Sequence, residues 1–240
     1  VTAVDVAVLA AHPDDAEIGC GGTIARLTRA GRRVAVIDCT RGESATRGTP
    51  EVRAREAIAA SAVLGVNQRE NLGLRDGFVV ADEASTRVLI GVLRRLRPTV
   101  LLAPIRIDAH PDHVAVADLA SRANFLAGLR NMHAELGEPH RARAIVRYFG
   151  NDVALPSVCV DIGSVLEIKR RAVACYASQL PAAASERGHF LRGLDPLERA
   201  ELRDRYFGSL CGHVAAEPFA IDGPVSLDVL RLLALEPAAS

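Results

Sequence analysis

Two short clusters in this sequence carry the residue types of metal chemistry. The first is His12-Pro13-Asp14-Asp15, and the second, far downstream, is His110-Pro111-Asp112-His113. Each His-Pro-Asp tripeptide is followed directly by a further donor, Asp15 in one case and His113 in the other. His12, Asp15 and His113 supply two imidazoles and one carboxylate. That set leaves a coordination position for water on Zn2+, the pattern of a catalytic zinc site. Bound there, a metal brings the pKa of water towards ~7 and polarises a carbonyl. Asp14, next to a ligand but pointing elsewhere, is placed to act as general base. His110 with Asp112 forms an imidazole–carboxylate pair able to stabilise an oxyanion or protonate a leaving amine, the carboxylate fixing the tautomer. The bland reading makes these residues polar loop positions, with Asp14 or Asp15 as a helix N-cap. It explains one such tripeptide better than two.

Both clusters follow buried strands, and the elements around them follow in alternation. Val4 to Ala11 is an almost continuous apolar run, as expected of a strand covered on both faces. A helix is expected from Gly21-Gly22-Thr23 to about Ala30, then a strand from Val34 to Cys39. This is a parallel, right-handed βαβ unit. A polar loop, Thr40 to Pro50, precedes a helix from Glu51 to Leu64. Glu70 to Leu74 reads as a short strand, and Asp76-Gly77 as a turn. Glu83 to Leu96 reads as a helix and Thr99 to Ala103 as a strand that delivers the second cluster. A helix from His113 or Val114 to about Leu129 follows. Ala144 to Phe149 and Val158 to Ile162 read as strands, the first antiparallel or at an edge. Ser164 to Ser178 reads as a helix, Leu180 to Gly193 as a mobile loop, and Pro196 to Phe207 as the last helix. The expected architecture is one α/β domain over residues 1–240, a Rossmann-like, mostly parallel sheet flanked by helices. Ligands bind such sheets beyond the carboxyl ends of the strands, where both clusters fall.

The chain has 240 residues, 29 basic and 29 acidic, so its formal charge is zero. That balance gives no bulk attraction for nucleic acid or an anionic membrane. Aromatic residues make up 4% and Trp is absent, which argues against a base-stacking surface. No apolar run reaches the ~20 residues of a membrane span, and the chain opens on a strand pattern. A cytoplasmic protein is expected. The five cysteines (Cys20, Cys39, Cys159, Cys175 and Cys211) are odd in number, show no C-x2-C spacing and read mostly as buried thiols.

Gly19-x-Gly21 after a strand invites a nucleotide-binding reading. Position 24 is Ile24 where G-x-G-x-x-G needs glycine, no Walker lysine follows, and the acidic residues before the turn oppose a pyrophosphate. The glycines are better explained by a tight turn and close helix–sheet packing. Arg53 either binds a substrate carboxylate or pairs with Glu56 on a helix surface. Arg41 and Glu43 either contact substrate or solvate their loop. His189 falls in the expected mobile segment as a lid residue.

AHPDDAEIGCGGTIARL (Ala11 to Leu27) and HPDH (His110 to His113) resemble the signatures of the PIG-L/LmbE-like zinc-dependent N-acetylglucosamine deacetylases. TRGE (Thr40 to Glu43), the pair Arg53/Glu56, NLGL (Asn71 to Leu74) and CYASQ (Cys175 to Gln179) extend the resemblance over most of the chain. Order and length resemble most the bacillithiol-pathway branch, which removes acetate from N-acetylglucosaminyl-malate. The resemblance implies a Rossmann-like fold, His12, Asp15 and His113 as ligands of Zn2+ (Fe2+ in the same set), Asp14 as base, and His110 with Asp112 as oxyanion or acid partner. It also implies Arg53 as a substrate-binding residue, a small GlcNAc conjugate as substrate, and a homo-oligomer, a trimer or hexamer. That branch carries a tyrosine before the last helix; here His189 or Phe190 stands in its place. Other GlcNAc conjugates (a mycothiol precursor, a chitooligosaccharide, an antibiotic intermediate) are alternative substrates. A nucleotide-binding module without hydrolytic activity is the alternative of another class.

Overall fold

The computed structural model describes residues 3–180 and 195–234. Seven strands form one sheet: β1 (Val6–Ala10), β2 (Val34–Thr40), β3 (Gln68–Leu74), β4 (Val100–Pro104), β5 (Ala144–Tyr148), β6 (Val158–Asp161) and β7 (Ala216–Ile221). Their order is β3-β2-β1-β4-β5-β7-β6. The first five run parallel, and β7 is antiparallel to both β5 and β6. The helices are α1 (Asp15–Arg29), α2 (Pro50–Leu64), α3 (Glu83–Leu96), α4 (Pro111–Ala127), α5 (Leu166–Ala174), α6 (Pro196–Leu210) and α7 (Leu227–Ala234).

The central strands are apolar on both faces because both faces are covered. Val6, Val8 and Ala10 belong to a core with α1, α5 and α7, while Ala7 and Leu9 belong to a core with α3 and α4. This is the single α/β domain expected from the alternating pattern. The chain leaves β1 for β2 on one side and returns through β4 on the other. The carboxyl ends of β1 and β4 therefore flank the point where strand order reverses, the usual crevice of an open α/β sheet. No helix among the described residues is long and apolar enough to cross a membrane.

Three expectations are corrected. α1 starts at Asp15, ahead of the expected Gly21, and breaks at Cys20 (φ −146°, ψ 24°) into two segments. β5 is interior and parallel to β4; the antiparallel strand is β7, which the pattern did not suggest. α6 is not the last helix, since α7 follows β7.

The break in α1 has its own cap. The Glu217 carboxylate on β7 accepts from the backbone N–H groups of Gly22 (2.8 Å) and Thr23 (2.7 Å). It also accepts from the Thr23 hydroxyl and from Lys169 Nζ, both at 2.6 Å. Negative charge at such freed N–H groups is favourable. Lys169 in turn donates to Asp204 of α6 at 2.5 Å. The glycines of this helix make close approach possible: a Cβ on Gly19 would meet the Tyr148 ring at 2.3 Å, and one on Gly22 the Ile162 side chain at 2.7 Å. Glu217→Ala would leave Lys169 and two helix N–H groups under-partnered in the interior. We expect it to cost about 3–5 kcal/mol, measured by denaturant unfolding.

Candidate metal centre

Loop geometry brings the two clusters together. The turn after β1 is strapped to β2, because Ala11 C=O accepts from both the N–H and the hydroxyl of Thr40 (each 3.0 Å). The second cluster opens α4, with Pro111 at its first position and His110 as N-cap. His110 Nδ1 accepts from the N–H of Asp112 at 3.2 Å.

Asp15 is the meeting point. Its Oδ2 lies 3.3 Å from His12 Nδ1 and 3.2 Å from His113 Nε2, and accepts from the His12 N–H at 2.8 Å. Ring nitrogens of His12, His110 and His113 also lie within 4.8 Å of one another. The outer nitrogen of each of the two imidazoles that face Asp15 is backed by carboxylate. His12 Nε2 faces Asp76 Oδ1 (3.0 Å) and Asp112 Oδ2 (3.3 Å), and His113 Nδ1 faces Asp108 Oδ2 (3.1 Å). A carboxylate behind a ligand imidazole fixes its orientation and raises its basicity, as at most histidine metal sites. This mixed nitrogen–oxygen donor set fits a divalent transition metal. A second grouping, His12 Nε2 with Asp76 and Asp112, is that backing itself, since Asp112 also accepts from the N–H groups of Gly77 and Val79.

The electrostatics agree with the geometry. Burial lowers the His12 pKa, but Asp112, Asp15 and Asp76 outweigh it and push it up to about 12. Burial likewise lowers that of His113, and Asp15 and Asp108 carry it up to about 10. The carboxylates thus hold positive charge at this point, as protons or as a metal cation. His110 moves the other way: burial lowers its pKa, helped by the charges of His12 and His113. With Nδ1 accepting from Asp112 N–H, its hydrogen-bond pattern assigns the ring proton to Nε2.

Asp14 caps α1 with φ 125°, ψ −27° and no side-chain capping bond. Positive φ on a residue with a Cβ costs about 1–3 kcal/mol and is typical of functional positions. The twist frees its carboxylate from the helix end and turns it to Arg53 Nη2, 3.1 Å away. Burial raises the Asp14 pKa to about 7, with Arg53 opposing the rise and Asp15 adding to it.

These residues floor a pocket of about 490 Å³. Ser44, Ala45 and Gln179 form one wall, the 150–153 loop another, and Arg199 and Arg203 reach in from α6. His12, Asp14, Asp15, Arg53, His110 and His113 all line it. The remaining site candidates fare differently. Asp112 does not orient His110 through its carboxylate, which faces His12 instead. Arg53 does not pair with Glu56; its guanidinium serves Asp14 and the Pro13 carbonyl, and Glu56 accepts from Ser178. Glu43 is exposed and off the pocket wall, and accepts from the Asp76 N–H at 3.0 Å. His189 lies outside the described residues. Asp76 and Asp108 were missed. Asp76 stood in the sequence as part of a turn, and nothing local marked either as a partner of histidine.

The fold and the pocket define an α/β protein with a cluster of histidine and aspartate side chains, able to hold a metal ion, at its sheet's carboxyl edge. Residues 7–124, which include every candidate ligand, match the PIG-L family, described as GlcNAc-PI de-N-acetylase. The chain is 31% identical over 223 residues to the diacetylchitobiose deacetylase of Thermococcus kodakarensis, spanning 86% of this chain and 78% of that protein. It is 36% identical over 152 residues to the 1D-myo-inositol 2-acetamido-2-deoxy-alpha-D-glucopyranoside deacetylase 2 of Catenulispora acidiphila, spanning 49% of this chain and 50% of that one. Its fold superposes on the crystal structure of the conserved protein TT1542 from Thermus thermophilus with a TM-score of 0.84 and 39% identity, covering 93% of this chain and 96% of that one. The chain belongs to the PIG-L family.

A divalent transition metal supplied at a hundredfold its dissociation constant should stabilise the fold by about 2.7 kcal/mol. The readout is a rise in the thermal unfolding midpoint, and His113→Ala should lose most of it.

Proposed function

We propose that this protein is a zinc-dependent N-deacetylase of a small N-acetylglucosamine conjugate, with His12, Asp15 and His113 as metal ligands. The observation that carries the reading is the convergence of His12 and His113 on one Asp15 oxygen, with the strained Asp14 carboxylate beside them on the pocket floor. Fe2+ suits the same donors. When bound, the metal supplies Lewis acidity, polarising the acetamide carbonyl and making water nucleophilic near neutral pH.

The chain's own residues do the rest. Asp14 accepts the proton of the attacking water at its carboxylate, and Arg53 aims that carboxylate and opposes the effect of its burial. His110 offers Nε2–H to the developing oxyanion. The C–N bond then breaks, and the amine leaves with the proton that Asp14 took from the water. One amide and one water become acetate and a free glucosamine conjugate.

For the aglycone we favour a neutral polyol, a second sugar or a cyclitol, over malate. Arg53, which would meet a malate carboxylate, is 4% exposed and already engaged with Asp14 and Pro13. The two relatives described above are named for diacetylchitobiose and for a glucosaminyl-inositol, both of this polyol kind.

The test is primary-amine release from diacetylchitobiose, the GlcNAc–inositol conjugate, GlcNAc–malate and GlcNAc, with and without chelator. Chelator-sensitive release, fastest from one of the first two, is expected. Fastest release from the malate conjugate would overturn the polyol assignment. Bound metal with no release from any would overturn deacetylation of this class. Asp14→Asn should keep the metal and lose about 10²–10⁴-fold in kcat.

A further inference from the structure

The carboxylates behind the two ligand histidines have a second attachment, and in both cases it is a wall of the pocket. The Asp108 side chain is fully buried. Its Oδ2 faces His113 Nδ1 at 3.1 Å and accepts from the Asn151 N–H at 2.9 Å. Its Oδ1 accepts from Asn151 Nδ2 at 3.0 Å and from the His110 N–H at 2.8 Å. The 150–153 loop is docked on this carboxylate without slack. A Cβ on Gly150 would come within 2.7 Å of Asp108 Oδ2 and 3.1 Å of His113 Nδ1. Across the pocket, Asp76 faces His12 Nε2 with Oδ1 (3.0 Å) and accepts from the Ser44 N–H with Oδ2 (2.8 Å). The Ser44 hydroxyl adds a bond to the Asp76 carbonyl at 3.1 Å.

We propose that Asp108 and Asp76 are positioning residues that join the two substrate-facing walls to His113 and His12, so that the seating of each wall and the grip on the metal are set by the same carboxylate. The inference rests on the metal reading and deepens it. A carboxylate with only an orienting role would need no bond to the pocket wall. A carboxylate with only a loop-bracing role would need no histidine. Each of these has both, on one or two oxygens. Displacing either partner moves the carboxylate, and through it the other. By linkage, a change that loosens the wall must also loosen the metal, and the reverse.

The test separates metal affinity from catalysis. Zinc affinity is measured by competition with a chromogenic chelator, without substrate, for wild type, Asp108→Asn, Asp76→Asn and Asn151→Ala. The aspartate variants should bind zinc about 10–100-fold more weakly, with KM for the best substrate raised as well as kcat lowered. Asn151→Ala is the decisive variant. It touches neither ligand nor metal, yet it should raise KM and weaken zinc binding several-fold, while Asn151→Gln, keeping the amide donor, restores part of both. If an aspartate variant does not fold, Asn151→Ala carries the test alone. Unchanged zinc affinity in Asn151→Ala, with only KM affected, overturns the coupling. Changes in the unfolding midpoint alone, with zinc affinity and KM at wild-type values, reduce both aspartates to structural groups and also overturn it. Wild-type protein that takes up no zinc overturns the metal reading itself, a result distinct from either.

Discussion

A buried carboxylate must be given a positive partner or lose its charge, and this constraint organises the carboxyl edge of the sheet. Asp15 sits between two imidazoles, Asp14 meets Arg53, and Glu17 and Asp38 share Arg69 at 2.5 and 2.8 Å. Deeper in, Asp204 and Glu217 share Lys169. Such groups add little net stability over apolar packing, but removing one partner is strongly destabilising. The arrangement therefore holds geometry more than it adds stability. Elements α1, α2, α5 and α6, from distant parts of the sequence, are held in register by charges that tolerate little displacement. A divalent cation at His12 and His113 would meet the last of this negative charge.

The parts of the site legible in the sequence were the local ones. His12 and Asp15 lie within one turn of chain at the end of a buried strand, and His113 follows another, so residue type and strand pattern sufficed to pair them. Asp76 and Asp108 were not legible, because their partners are fixed only when β3 and β4 have taken their places in the sheet. Asp112 was misassigned for a related reason. Proximity in sequence put it with His110, whereas the start of α4 turns its carboxylate towards His12 and the 77–79 turn.

The fold followed the same division. The continuous apolar runs of β1, β2 and β4 announced buried parallel strands. β5, expected to be antiparallel or at an edge, is interrupted by Arg147, yet that arginine is 1% exposed and bonds Asp222, Ser121 and the Ala117 carbonyl. β7, which was not expected, carries Glu217 and Pro218 inside it. Each interruption is a polar group whose partner lies on another element, so no pattern confined to the strand can account for it.

The Glu217 cap on α1 also bears on the order in which the molecule is assembled. The candidate ligands all lie in the first half of the chain, and so does the helix that carries Asp15. The carboxylate that caps the broken middle of that helix belongs to β7, nearly two hundred residues later. A ribosome releases the two in that order. Without β7, the two freed amides of the first helix would have only water, and Lys169 would lack one of its two anions. The earliest-made helix thus depends for its cap on one of the latest-made strands.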